Sequence, residues 1–393
     1  MRTILAVTLM NLKSIPARLG SSLVIVVGIA FVVAVLVSML SMSQGFEKTL
    51  KGTGSSQRAI LLSAGVLAEL SSYIAPDMLA LTSSLPGIAR DAQGAPRVSP
   101  ELLVITELRK GEGRQASSVN VALRGVGAAG IAMRPEIKLV EGRMFQPALR
   151  EVIAGRGAQR QFSGIGVGRS LRFRGSEWTV VGIFESGGDA HESELWTDLD
   201  TARGAFGRPG ASSVLIQLAT PQAFDSLAAA TKADPRLQID AQTERDYYAA
   251  QSQQVTSTIG TFTTWLAAIM AFGALFGALN TMYSAVSTRQ VEIATLRAIG
   301  FSGLPVVISV LAEAVLLAMT GGLIGAAIAW IAFNGMSVST LGANFAQVAF
   351  SFSVSPQLVM RGLAWAVAIG FLGGLLPALR AARLPIVDAL RAS

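Results

Sequence analysis

The stretch Arg289–Ser302, RQVEIATLRAIGFS, sets two arginines and a glutamate between two of the longest uncharged runs of a 393-residue chain. No charged residue occurs from Tyr247 to Thr288 on one side, and on the other Glu313 is the one charge from Pro305 to Phe333. A short charged helix between two such runs reads as a turn between two membrane-crossing helices, and the rest of the chain agrees. Residues are 51% hydrophobic and 15% charged, with a mean hydropathy of +0.51, which belongs to the membrane class.

A hydrocarbon core about 30 Å thick needs roughly 20 apolar residues at the helical rise. Four runs qualify, giving expected spans at 19–42, 258–286, 305–333 and 358–379. The second run exceeds what a span requires, so its start, QSQQVTSTIG, is expected to project as a stalk.

Four spans put both termini on one side, and loop charge says which. Residues 1–18 carry Arg2, Lys13 and Arg18 without an acid. The 287–304 connection has Arg289 and Arg297 against Glu292, and the 380–393 tail has Arg380, Arg383 and Arg391 against Asp388. These pieces are expected in the cytoplasm, with 43–257 and the 334–357 loop outside. Residues 43–257 hold 23 basic and 22 acidic side chains, so a pI near 10 arises largely from short pieces beside the membrane, and it gives no case for nucleic acid. RTILAVTLMNLK, residues 2–13, reads either as an amphipathic helix on the inner surface or as an extension of the first span. The apolar core behind it is too long for a signal peptide. Zero cysteines rule out disulfides and thiolate metal sites.

The 43–257 segment is long enough for a folded domain. QRAILLSAG, LLVITELRK and ASSVLIQLAT followed by PQAFDSLAAATKAD predict a mixed α/β layer. Over about 115–210 helical pattern nearly disappears, predicting a β-rich lobe inserted in an α/β lobe, with SLRFRG and EWTVVGIF as a hairpin. The fold class expected is thus a four-helix membrane protein, α+β, with a large mixed extracytoplasmic domain between the first two spans.

Catalytic patterns are absent from the sequence. No GxxxxGK[ST] occurs, so the chain is not expected to bind ATP by a P-loop. HESEL begins like HExxH but puts Leu195 where the second ligand belongs, and His191 is the one histidine, so it is assigned to a surface loop and no metal is expected. Without a second imidazole no serine has an evident activating base, and the chain is not expected to be an enzyme. From Arg143 to Arg174 there are seven arginines and one acid, and from Glu177 to Asp200 seven acids and no Lys or Arg. This is read as two solvated faces that pair, or as a docking surface. Gly273/Gly277, Gly321/Gly325 and Gly370/Gly374 each form a GxxxG, suited to a packed bundle or a dimer seam. Glu313, about 12 Å into its span, has to pair or reach water, in a structural or a coupling role.

R-x-x-E-I-A-x-L-R-A-I-G after a second span, followed by LAEAVLLAMTGGLIG, resembles the signature of the MacB/FtsX-type ABC transporter permeases. IPARLGSSLVIVVGIA resembles that family's first span, VEGRMF, REVIAGRGAQRQF and IGVGRSLRFRGSEWTVVGIF its extracytoplasmic domain, and GLLPALRAARLPIVDALR its exit from the fourth span. The resemblance implies a dimerising permease, homo- or heterodimeric, that couples a separate cytoplasmic ATPase to its outer domain by mechanical transmission. It also implies that ATP and magnesium are used by the ATPase and no cofactor by this chain. A periplasmic adaptor and membrane lipids are further expected partners. Unlike the MacB fusion, the sequence carries no N-terminal nucleotide-binding domain, hence the expected partner ATPase.

By the same resemblance the ATPase-coupling residues are Arg289, Glu292, Ile293, Leu296, Arg297 and Gly300. A helical projection places Val291, Ala294 and Ala298 on one stripe and Ile293, Leu296 and Gly300 roughly opposite, as for a helix held between two bodies. The function expected is export or extraction of a lipid-linked molecule, lipoprotein, peptide or drug. The alternative is a signalling permease that activates an extracytoplasmic hydrolase. A sensor-type receptor is disfavoured, because two more spans follow where a signalling helix should be.

Overall fold

The computed structural model describes residues 19–110, 117–342 and 344–385, so the expected surface helix at 1–18 and the end of the tail lie outside the described residues. The chain divides into two compact units. A helical unit holds residues up to Gln44, Thr258–Met336 and Phe352 onward; a sheet unit holds Gly45–Ser257 and Ser337–Ser351.

The helical unit is built on four helices long and apolar enough to cross a membrane, drawn from Leu19–Lys51, Glu244–Ser287, Gly303–Phe333 and Pro356–Ala382. Its core joins Ile29, Val33 and Val37 of the first to Met282 and Val286 of the second and Ala314, Ala318 and Ala366 of the last two. The third helix is central. Side-chain atoms added at Gly321 and Gly325 would strike the backbone of Val26 and Ala30, and Gly370 and Gly374 of the fourth helix lie against Ala318 and Ala314. Small residues at these four positions let backbones meet where lipid offers no hydrophobic drive. Gly273 and Gly277 differ: space around both is open within the chain. Beside them Phe262, Trp265, Ile269, Phe272 and Phe276 stand exposed at alternating spacings of three and four, one stripe of the second helix.

The main sheet of the sheet unit has ten strands: β1 Arg58–Ser63, β2 Val98–Lys110, β3 Ser117–Val126, β4 Lys138–Gly142, β5 Glu151–Gly155, β6 Ser170–Phe173, β7 Ser176–Glu185, β8 Leu195–Asp198, β9 Ser213–Gln217 and β10 Ile239–Thr243. They form one sheet in the order β10-β1-β9-β2-β3-β8-β5-β7-β4, with β6 on β7. Residues 115–210 therefore supply strands to the same sheet as their neighbours, and the two expected lobes are two ends of it. Each end has its own core, one around Leu61, Ile74, Ile216 and Leu227 and one around Leu123, Ile183, Trp178 and Leu195. The stretch in which helical pattern faded holds helices of only five to eight residues. SLRF and SEWTVVGIFE form a hairpin whose turn is Arg174-Gly175, both at positive φ, the geometry that matches strand twist.

A second, two-stranded sheet was not legible in the sequence. The connection between the third and fourth long helices folds into β11 Ser337–Leu341 and β12 Gln347–Ser351, paired antiparallel, and these belong to the sheet unit. Phe350 packs edge-on to Phe46, Ala349 N–H donates to Ser193 Oγ at 2.8 Å, and Asn120 Nδ2 donates to Phe345 O at 3.0 Å.

Candidate functional site

The helix Gln290–Ala298 is nine residues long. Ile293 and Ala294 are buried, Leu296 and Arg297 half-buried, and Val291, Glu292, Thr295, Ala298 and Ile299 exposed. The two opposite stripes read from the projection are thus replaced by one buried edge and one open face. Both projected stripes were apolar, so hydrophobicity could not tell which direction faced the bundle.

This orientation separates the six predicted coupling residues. Glu292 alone stands on the open face. Arg289 is buried, and its Nη1 lies 3.1 Å from Glu313 Oε2. Arg297 Nη1 donates to Leu384 O at 2.6 Å. Gly300 has a conformational role: its φ is +100°, its N–H donates to Arg297 O, and Phe301 N–H donates to Leu296 O. These bonds form the Schellman closure that stops a helix and favours glycine at this position. Val291, Thr295, Ala298 and Ile299, outside the predicted set, complete the open face, and Ile299 is 68% exposed.

Glu313 is 4% exposed on the third helix and is paired with Arg289. A carboxylate among apolar residues needs such a partner, because burying it alone costs several kcal/mol.

The sheet unit contains a second, larger ionic assembly. Arg124, on β3, is held by Glu69, Glu101 and Glu194 at 2.8–2.9 Å. Arg134 pairs with Glu101 and lies 3.5 Å from Glu244, and Arg58, which opens β1, pairs with Glu244 and Glu136. Glu244 is the first residue of the 44-residue helix, so the assembly fixes that helix's start to the sheet. Tyr247, one turn on, receives the Glu69 N–H at its hydroxyl (3.1 Å). Burial alone would raise the Glu194 carboxyl, but Arg124 and His191 outweigh it and hold it well below the usual carboxylate range. Glu69 and Glu244 are lowered in the same way, burial being overcome chiefly by Arg124 and Arg134 respectively.

His191 corrects the surface-loop assignment. It is fully buried in a short 3-10 turn, with Nδ1 3.3 Å from Glu194 Oε2 and its ring edge-on to Trp196 and Tyr248. Burial would push it down, yet Glu194 and Asp189 raise it above its ordinary value. HESEL looked solvated because four of its five residues are polar or charged, but Glu194 turns inward to Arg124 and Glu192 accepts the N–H groups of Ser186 and Gly188. The two opposite charge runs meet, among the described residues, at Arg156 and Glu185, 2.9 Å apart, while Arg143 pairs within its own run with Glu151.

With this geometry in view, two family descriptions match: a MacB-like periplasmic core domain over residues 22–234 and an FtsX-like permease C-terminal region over 265–386. The macrolide export ATP-binding/permease protein MacB of Sodalis glossinidius is 26% identical over 412 residues, covering 97% of this chain and 60% of that protein. An uncharacterized ABC transporter permease of Bacillus subtilis, YknZ, is 27% identical over 207 residues, 51% of this chain and 49% of the other. The chain thus spans about half to three fifths of these relatives. Among solved structures, the periplasmic region of MacB from Actinobacillus actinomycetemcomitans aligns at 15% identity and a TM-score of 0.38, covering 54% of this chain and 96% of that one.

Proposed function

The chain belongs to the family of ABC transporter permeases that joins a MacB-like periplasmic core domain to an FtsX-like permease region, and from that premise we propose that it passes the motion of a partner ATPase to its sheet unit. One observation carries the reading: Glu244–Ser287 is a single helix of 44 residues, about 66 Å at the helical rise, with residues in both units and its first residue locked into the buried charge assembly. A rod of that length exceeds a bilayer and can transmit displacement along its axis. The ATPase, a separate cytoplasmic chain, docks on the open face of Val291, Glu292, Thr295, Ala298 and Ile299, and it binds the ATP and magnesium. Two copies pair through the exposed stripe of the second helix. The work done outside is export or extraction of a lipid-linked molecule, lipoprotein, peptide or drug. An outer unit built on a ten-stranded sheet favours handling a cargo over relaying a signal.

The test uses the complex purified from membranes with whatever ATP-hydrolysing chain accompanies it. Ala298→Trp, placed on the open face, should abolish association or stimulated ATP turnover, and retention of both would overturn the docking face. The chain lacks cysteine, so Asp200→Cys should react with an impermeant maleimide from outside only, and Ala298→Cys from inside only. Reversed labelling would overturn the topology.

A further inference from the structure

The short helix Gln290–Ala298 is fastened at both ends by arginines that sequence reading assigned to the ATPase contact. At its start, Arg289 supplies the backbone oxygen that accepts Ile293 N–H at 2.9 Å, while its guanidinium reaches Glu313 in the third long helix. At its finish, Arg297 Nη1 holds Leu384 O, just past the end of the fourth. Glu313 lies ten residues into its helix, about 15 Å along the axis, and Leu384 two residues beyond Ala382. The two arginines therefore bind the short helix to the third long helix and to the segment just past the fourth, at two different depths.

We infer that Arg289 and Arg297 are positioning residues, a two-point clamp that converts displacement of the open face into movement of the third and fourth helices. The inference rests on the coupling function proposed above. Apolar contacts alone would let a nine-residue helix slide or roll on the bundle, because dispersion is non-directional and each atom pair contributes only about 0.1–0.2 kcal/mol. An ion pair and a charge-assisted hydrogen bond hold direction under pull as well as push. Glu313 completes the clamp as its fixed end.

The experiment compares the wild-type complex with Arg289→Met/Glu313→Met and with the charge-reversed pair Arg289→Glu/Glu313→Arg, each carrying an environment-sensitive label at Ser83→Cys, an exposed site of the sheet unit. The apolar double variant keeps the site filled without charge, so a merely structural pair would be replaced without loss. For a clamp, ATPase co-purification stays within about twofold. ATP-stimulated turnover and the ATP-dependent signal at residue 83 fall about tenfold, within the usual span of coupling between linked sites, and the reversed pair regains most of both. A full signal at residue 83 in the apolar variant overturns the clamp. So does a folded, ATPase-bound reversed pair that remains silent. Should the apolar variant fail to fold, the reversed pair decides alone by the same signal. If wild type itself shows no ATP response at residue 83, or no ATP-hydrolysing chain accompanies it, the coupling function falls, an outcome distinct from loss of the clamp alone.

Discussion

The two units bury charge in different ways. In the sheet unit Arg58, Arg124 and Arg134 are shared among Glu69, Glu101, Glu136, Glu194 and Glu244, so most members have more than one partner. In the helical unit Arg289 and Glu313 form the single ion pair among the described residues. A shared network resists distortion, because moving one member disturbs several bonds at once. An ion pair between two residues can lengthen or reform with fewer adjustments than a network shared among many. The sheet unit therefore behaves as a block fixed to the start of the long helix, while the helical unit keeps the two directional joints of Arg289 and Arg297 within a bundle otherwise held by close packing.

The largest expected effect is at the centre of the network. Arg124→Leu would strand Glu69 in the interior and take one cationic partner each from Glu101 and Glu194, at a cost of about 3–5 kcal/mol or more. Limited proteolysis of the detergent-solubilised chain should then cut the sheet unit; resistance equal to wild type would mean the network is not what holds it. Next comes packing in the helical unit. Gly325→Val forces a side chain against the Ala30 backbone and should cost about 1–3 kcal/mol, whereas Gly277→Val meets open space and should leave the thermal midpoint of the dissociated chain unchanged. Equal melting of the two variants would erase that contrast. A smaller effect is expected from Arg289→Met/Glu313→Met, whose stability should lie within about 1–2 kcal/mol of wild type in either direction, since apolar residues can replace a buried pair. A collapse as large as that of Arg124→Leu would make the two ionic sites equivalent.

The smallest effect concerns pH. Glu194, Asp189 and Arg134 face the His191 ring, and the net result raises its pKa above 6.5. A raised folded-state value contributes stability in full below the unfolded pKa and loses it as pH climbs through the folded one. His191→Phe should therefore differ from wild type most below pH 6.5 and least at alkaline pH, read as the thermal midpoint against pH. An opposite slope would place the neutral imidazole in the folded state.

Local sequence displayed the features that local physics decides. Four uncharged runs announced the long helices, Arg174-Gly175 between alternating strands announced a hairpin, and a carboxylate within grease announced a need for pairing. Partners far apart in the chain were hidden. Arg124 meets Glu69 and Glu194, 55 and 70 residues away, and no spacing rule connects them. His191 was misplaced in part for the same reason: Asp189, Glu194 and Trp196 lie near it in sequence, but the ring also packs on Tyr248, 57 residues away. On Gln290–Ala298 the composition was legible and the orientation was not. Arginine looked like a surface residue there until its acceptors, Glu313 and the backbone of Leu384, were known.

The small β11–β12 hairpin has a consequence for how the chain is made. Its residues complete the sheet unit, yet 79 residues of helical unit, Thr258–Met336, are translated between Ser257 and Ser337. The first 257 residues thus emerge as an unfinished structure that waits for a stitch delivered only after the third long helix. Assembly order is written into the fold: a chain interrupted before Ser337 would leave Phe46 and Ser193 without the packing and hydrogen bond that Phe350 and Ala349 supply.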